Sequence, residues 1–167
     1  MNTKIIPSIF TLANLLLGVI ALIFTMDNEF HIAGIMILLG MVLDGMDGRL
    51  ARRLDAASPF GKELDSLADL VSFGVAPSIL VYAFKMKTFG LPGLVVCVIF
   101  ALCGAIRLAK FNVLNISSYF VGIPITAAGS LVALTVLLGN RLPPAAYPVI
   151  MLLLSYLMIS NIKVPKY

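Results

Sequence analysis

The sequence predicts an all-α, polytopic membrane protein with six transmembrane helices. Of its 167 residues, 60% are hydrophobic and only 12% are charged, and the mean hydropathy is +1.06. Soluble domains carry about 25% charged residues, so this composition indicates a chain that lies in a bilayer. We expect residues 1–167 to form a single domain, with the lipid bilayer as a partner and no nucleic acid.

Four uncharged stretches are long enough to cross the hydrocarbon, which takes about 20 residues of helix. They are Ile5 to Met26, Thr88 to Ile106, Phe111 to Asn140 and Leu142 to Ile162. No Lys- or Arg-rich leader with a small-residue cleavage site precedes Ile5. The first stretch is therefore predicted to be a retained helix rather than a secretory signal.

The second and third helices are predicted by a length argument. The uncharged runs Ile32 to Leu43 and Leu70 to Phe84 hold 12 and 15 residues, so neither spans a bilayer alone. Each must extend into the charged segment between them, which predicts helices from about His31 to Arg52 and from about Asp65 to Phe84. The carboxylates of that segment then lie inside or at the mouth of the membrane.

Two cysteines and two prolines within the apolar stretches have simple structural interpretations. Cys97 and Cys103 are six residues apart, which suits neither a metal site nor a disulfide framework, so we expect both to fill apolar space. Pro77 and Pro124 are interpreted as kinks in the third and fifth helices.

The distribution of Lys and Arg predicts the orientation, because cytoplasmic loops carry the excess. Six spans place both termini on one side, and nine of the 12 basic residues fall there: Lys4, Arg49, Arg52, Arg53, Lys62, Arg107, Lys110, Lys163 and Lys166. Lys85, Lys87 and Arg141 fall on the other side. We expect an integral protein of the cell membrane with both termini and the acidic segment facing the cytoplasm, where a net charge of +4 suits anionic headgroups.

Six of the eight acidic residues lie between Leu43 and Leu70. Asp44 and Asp47 are three residues apart and Asp65 and Asp69 are four apart, so each pair shares one face of its helix. A turn at "SPFG" lets the two helix ends pack side by side, and the four carboxylates are then expected to converge. Ionised carboxylates at low dielectric need a counter-charge, and oxygen ligands without His or Cys favour two Mg²⁺ or Mn²⁺ ions.

Small residues flank these acids. The face that carries Asp44 continues through Gly48, Ala51 and Arg52, which leaves room for a bulky ligand. Gly45 and Gly48 weaken the helix, and this indicates close approach of a ligand or metal to the backbone. Arg52 could hold a phosphate through its planar guanidinium.

Other classes of protein remain open at this point. A solvated cytoplasmic loop is the preferred interpretation for Arg53, Asp55 and Glu63. A divalent-cation channel or carrier would place acidic residues at several depths, whereas the predicted helices 4 to 6 contain no Asp or Glu. A membrane scaffold would leave the buried acids without a role.

The acidic segment resembles the signature of the CDP-alcohol phosphotransferase family, D-x-x-D-G-x-x-A-R-x8-G-x3-D-x3-D. It matches at Asp44, Asp47, Gly48, Ala51, Arg52, Gly61, Asp65 and Asp69. The resemblance implies six membrane helices, a homodimer and an acidic site open to the cytoplasm. It also implies that Asp44 and Asp65 bridge two metals, that Asp47 completes one metal site, and that Asp69 binds the other metal while serving as general base.

The resemblance further implies contacts with the CDP moiety of the donor. The positions concerned are Gly48, Ala51, Arg52 and Ser58, together with Thr11 and Asn14 of "PSIFTLANLLLG". That stretch is similar to the family pattern P-N-x-x-T-x-x-N, although Ser8 stands where Asn is common. A polar contact between helices is the alternative interpretation of Thr11 and Asn14.

Three further stretches are similar to the phosphatidylserine synthase branch of the family: "FGVAPS" from Phe73, "RLAKFN" from Arg107 and "FVGIPITAAG" from Phe120. This likeness implies transfer of a phosphatidyl group from CDP-diacylglycerol to L-serine. Arg107 is the candidate for the serine carboxylate, with Asn112 helping to hold the amino acid. Glycerol 3-phosphate or inositol is the alternative acceptor, but a phosphorylated acceptor needs several basic residues, and outside the motif only Arg107 and Lys110 lie on the predicted side.

Overall fold

The computed structural model describes residues 5–53, 58–114, 120–160 and 163–164, and this part of the chain is almost entirely helical. The helices are α1 (Ile5–Met26), α2 (Phe30–Arg53), α3 (Pro59–Phe84), α4 (Leu91–Leu114), α5 (Ile125–Leu137) and α6 (Ala146–Ile159). The third is continuous but not uniform: α-helix over Pro59–Asp69, a wider π-helical turn over Leu70–Val75, and α-helix again over Ala76–Phe84.

Short elements join or follow the helices. Turns of 3₁₀-helix cover Met86–Phe89 and Gly139–Arg141. Two strands of two residues each, β1 (Phe120–Val121) and β2 (Lys163–Val164), pair in antiparallel orientation. They bring the segment before α5 next to the segment after α6.

The lengths of the helices confirm a polytopic membrane architecture. Among the described residues, three stretches are long and apolar enough to cross a bilayer: Ser8–Met26, Pro59–Phe84 and Leu91–Val113. Three shorter helices are also apolar: Phe30–Met46, Ile125–Leu137 and Ala146–Ile159. The all-helical fold with six helices is confirmed within the described residues, and six complete crossings stay a prediction.

The start of α3 differs from the prediction. The helix begins at Pro59 rather than near Asp65, so the residues expected to form a turn make up its first helical turn. Ser58 is the N-cap, and its Oγ accepts a hydrogen bond of 3.0 Å from the Gly61 N–H. Pro59 then occupies the first helical position, where its missing N–H is no loss.

The fourth and fifth helices also correct the prediction. The expected fifth helix began at Phe111, but α4 continues to Leu114 and α5 begins only at Ile125. The prediction ended the fourth helix before Arg107 because it counted only uncharged residues. A long basic side chain near a helix end can keep its charge in the polar interface, so the helix continues past it. Pro124 is the N-cap of α5 and therefore starts this helix instead of kinking it.

The core lies mainly between α2, α3, α4, α5 and α6. Its largest buried side chains include Ile37, Phe73, Leu80, Val132 and Tyr147. Helix α5 comes very close to α3, because a Cβ at Gly129 would collide with the Phe73 carbonyl. Cys97 and Cys103 are buried and free, as expected for apolar filling residues.

Apolar side chains on the outer surface match a lipid environment. On α1, Ile9, Leu12, Leu16, Val19 and Ile23 are exposed at intervals of three or four residues. The opposite face of α1 packs along α2 and also contacts α3. A helix that is apolar on both faces is typical of a membrane span.

Candidate active site

Three aspartates from two helices meet at the end of the bundle where α2 ends and α3 begins. A carboxylate oxygen from each of Asp44, Asp65 and Asp69 lies within 4.8 Å of the other two. Asp69 is 8% exposed, and the other two side chains are half-buried. The predicted convergence is confirmed for these three residues. The side chain of Asp47 lies outside the described part of α2, so its place in the cluster stays a prediction.

The oxygen atoms that this cluster offers as ligands fit a divalent cation. Carboxylate oxygens of Asp44 and Asp69 lie within 4.8 Å of each other, and two ionised groups this close repel unless a proton or a cation lies between them. Its three described members offer carboxylate oxygens, the ligands that Mg²⁺ and Mn²⁺ prefer. The site could therefore hold a hard divalent metal.

Asn14 of α1 holds the Asp69 carboxylate through a hydrogen bond. The side-chain amide of Asn14 donates a hydrogen bond of 3.4 Å to Oδ1 of Asp69. Ser72, one turn beyond Asp69, donates a hydrogen bond of 3.0 Å from its Oγ to the Asn14 backbone carbonyl. Both Asn14 and Ser72 are fully buried, so α1 and α3 are joined by polar contacts immediately beside the acids.

Asp44 is contacted by α5, which the sequence did not indicate. Thr126, in the first turn of α5, has its hydroxyl near enough to the Asp44 carboxylate to stabilise the charged form of that group. Thr126 lies inside "FVGIPITAAG", a stretch interpreted only as a family likeness. A proline followed two positions later by a threonine is compatible with the start of a helix, and this was the signal that could have identified Thr126.

Arg107 of α4 lies beside the cluster. Its guanidinium is half-buried and close enough to Asp69 for an attractive electrostatic interaction. Its Nε is buried and has no hydrogen-bond partner among the described residues. A cationic donor is therefore available next to the acids.

Asn112 joins the end of α4 to the first half of α3. Its Nδ2 donates to the Ser66 Oγ at 2.9 Å and approaches Oε2 of Glu63 at 3.5 Å. Its Oδ1 is buried without a hydrogen-bond partner in the part of the chain that the structure covers. The amide nitrogen is thus engaged, and the amide oxygen remains available as an acceptor.

The candidates for CDP contacts lie in two different environments. Thr11 and Asn14 are inside the helix bundle, with exposures of 4% and 0%. Gly48 is on an exposed face of α2, and a Cβ there or at Gly45 would meet no described atom within 4 Å. The space beside the acids on α2 is therefore open.

Two more candidates for CDP contacts lie on α2, and a third caps α3. Ala51 and Arg52 belong to α2, but their side chains fall outside the described residues. The Ser58 Oγ is engaged as the cap of α3. All of the predicted ligand contacts stay predictions.

Comparison with known proteins assigns a class to this fold and cluster. A sequence profile described as CDP-alcohol phosphatidyltransferase matches residues 4–160, so the chain belongs to this family. The chain is 39% identical over 163 residues to a CDP-diacylglycerol–serine O-phosphatidyltransferase of Bacillus subtilis, covering 97% of this chain and 90% of that protein.

Two other relatives carry the same name. The protein of Helicobacter pylori is 39% identical over 170 residues, which cover 96% of this chain and 72% of the relative. The protein of the archaeon Methanocaldococcus jannaschii is 39% identical over 158 residues, which cover 94% and 72%. The similarity therefore extends over nearly the whole chain, including the acidic segment.

Proposed function

We propose that this protein transfers the phosphatidyl group of CDP-diacylglycerol to the hydroxyl of L-serine, giving phosphatidylserine and CMP. The observation that carries the proposal is the meeting of Asp44, Asp65 and Asp69 on the family signature. The relatives named for this reaction support serine as the acceptor.

The aspartates would hold two divalent cations, Mg²⁺ or Mn²⁺. Asp44, Asp47, Asp65 and Asp69 are the residues that would hold these ions. The bound cations would offset charge on the pyrophosphate of the donor and on the departing CMP. Their preferred ligands match the carboxylate oxygens of the cluster.

Asp69 is the proposed general base. It accepts the serine hydroxyl proton as the serine oxygen forms a bond to the β-phosphorus. The bond from that phosphorus to the bridging oxygen breaks, and its electron pair leaves with CMP. Asp69 suits this role because it is almost buried and is held by Asn14, so its carboxylate has a defined orientation.

Arg107 and Asn112 form the proposed serine site. The guanidinium of Arg107 would pair with the serine carboxylate, for which its buried Nε supplies a donor. The free Oδ1 of Asn112 would accept from the serine ammonium group. Arg107 already lies near Asp69, so a bound serine would have its hydroxyl close to the base.

We propose that the donor's CDP group lies over Gly48, Ala51, Arg52 and Ser58. We further propose a homodimer in the cell membrane, with six crossings and with both termini and the active site facing the cytoplasm. The contact between the start of α3 and the end of α4 supports this topology. There the Lys62 Nζ lies 5.8 Å from the centre of the Phe111 ring, so two basic helix ends are adjacent.

The test is an acceptor screen on purified protein. The protein is incubated with CDP-diacylglycerol, Mg²⁺ or Mn²⁺, and one of serine, glycerol 3-phosphate or inositol, and CMP release is measured. We expect release with serine, and none when the cations are removed with EDTA. Release with glycerol 3-phosphate or inositol but not serine would assign another acceptor. Cation uptake into vesicles without CMP release would indicate a transporter instead.

A further inference from the structure

Asn14 lies where three helices meet, in contact with the Asp69 member of the acid cluster. It belongs to α1, contacts Asp69 and Ser72 of α3, and faces Gly40 of α2. Its exposure is 0%. A side chain enclosed in this way has no open path to a nucleotide at the surface, so a role through its neighbours has to be considered.

The orientation of the Asn14 amide is set by its surroundings. The nitrogen faces the Asp69 carboxylate, while the oxygen is buried without a hydrogen-bond partner in the described parts of the chain. If the amide were rotated by half a turn, its oxygen would face the Asp69 carboxylate and repel it. A buried amide oxygen without a partner costs stability, so the contact of the amide nitrogen with Asp69 is the one that accounts for an amide at this position.

Gly40 holds the amide from the opposite side. A Cβ built on Gly40 would lie 2.8 Å from the Asn14 Oδ1, which is closer than any ordinary carbon–oxygen contact. A Cβ at position 40 would therefore push the Asn14 amide out of its present position. The amide is confined between the α2 backbone and the Asp69 carboxylate.

We propose that Asn14 is a positioning residue, which holds the Asp69 carboxylate in the orientation needed to accept the serine proton, and that Gly40 keeps Asn14 in place. The proposal rests on the proposed function, because it gives Asn14 a part in that reaction. It differs from the expected CDP contact, since Asn14 acts through Asp69 and does not touch the donor. Groups that orient a metal ligand in this way typically change affinity or activity about 10- to 100-fold when they are removed.

The test compares Asn14→Leu with Ser72→Ala in lipid nanodiscs. Asn14→Leu removes the amide donor at similar volume, whereas Ser72→Ala removes a hydrogen bond between the same two helices and leaves the donor intact. We expect Asn14→Leu to lower kcat for CMP release about 10- to 100-fold and to weaken Mn²⁺ binding without substrate, measured by electron paramagnetic resonance. The KM for CDP-diacylglycerol should stay close to the parental value. Ser72→Ala should keep both parental values.

A direct contact between Asn14 and the donor would give a different result. The KM for CDP-diacylglycerol would then rise, and Mn²⁺ affinity in the absence of lipid would stay unchanged. That outcome, or parental kcat and Mn²⁺ affinity in Asn14→Leu, would overturn the proposal. Equal losses in Ser72→Ala would also overturn it, because they would assign the effect to general packing of α1 on α3.

Gly40→Ala provides a second variant if Asn14→Leu does not fold. It retains the donor but displaces the amide, so kcat and Mn²⁺ affinity should fall in the same direction as for Asn14→Leu. Parental values in folded Gly40→Ala would contradict the proposal. If the parent released no CMP with serine, the proposed function would fail, and the Mn²⁺ measurement would still decide whether Asn14 orients Asp69.

Discussion

Replacing Thr126 by Val isolates the contribution of α5 to the acid cluster. Valine has the shape of threonine and is also branched at Cβ, so the substitution removes the hydroxyl and little else. The lost group is a hydroxyl close enough to the Asp44 carboxylate to stabilise its charge by donating a hydrogen bond. We expect Asp44 to become less well ordered and Mn²⁺ to bind more weakly.

The magnitude follows from the charge and the burial of this contact. A hydrogen bond to a charged group contributes about 1.5–3 kcal/mol. Thr126 and Asp44 are half-buried, so water replaces part of the lost interaction, and the lower limit of about 1.5 kcal/mol applies. Since about 1.4 kcal/mol corresponds to a factor of ten, we expect roughly tenfold weaker Mn²⁺ binding.

Thr135→Val is the matched control for this experiment. Thr135 is half-buried on the same helix, and its hydroxyl donates to the Val132 carbonyl at 2.7 Å, remote from the acids. Mn²⁺ titration followed by electron paramagnetic resonance compares the two variants with the parent. Equal affinities in Thr126→Val and the parent, or equal losses in both variants, would refute the assigned role of Thr126.

Three further substitutions test other parts of the site and fold. Asp69→Asn removes the proposed base and should lower kcat about 10²- to 10⁴-fold while the protein still folds; turnover at the parental rate would exclude Asp69 as the base. Arg107→Ala should raise the KM for serine at least about tenfold because it removes a charge-assisted contact, whereas exposed Lys110→Ala should not; equal KM values would reject the serine site. Ser58→Ala removes the cap of α3 and should cost about 1 kcal/mol, seen as a Tm lower by about 2–4 °C; an unchanged Tm would show that the cap is dispensable.

The sequence predicted the ends of a helix best where the helix contains no charged residue. The predicted first helix, Ile5–Met26, agrees with α1 at both ends, because no charged residue interrupts it. The start of α3 was missed because "SPFG" is compatible with both a turn and a capped helix, and the choice depends on whether the Ser58 Oγ accepts from the Gly61 N–H. The end of α4 was missed because Arg107 and Lys110 were treated as breaks.

The site likewise combines features that residue spacing predicts with features that depend on how the helices pack. The meeting of Asp44 with Asp65 and Asp69 was predictable, because spacings of three and four residues on neighbouring helices leave few other arrangements. Thr126 is 82 residues from Asp44 along the chain. The two residues come close because α5 packs beside the acid cluster. The orientation of the Asn14 amide likewise depends on how closely Gly40 of α2 approaches it. The spacing of residues in the sequence does not predict that approach.

The π-helical turn of α3 begins immediately after Asp69 and ends at Val75. Such a turn holds one residue more than a regular α-turn, so every side chain beyond it is rotated by about 100° around the axis. The two halves of this helix are consequently out of phase: Asp65 and Asp69 belong to the acid cluster, and Leu80 lies in the core. Residues before and after the turn can therefore vary separately, so the proposed acceptor site can change while the buried contacts further along the same helix are kept.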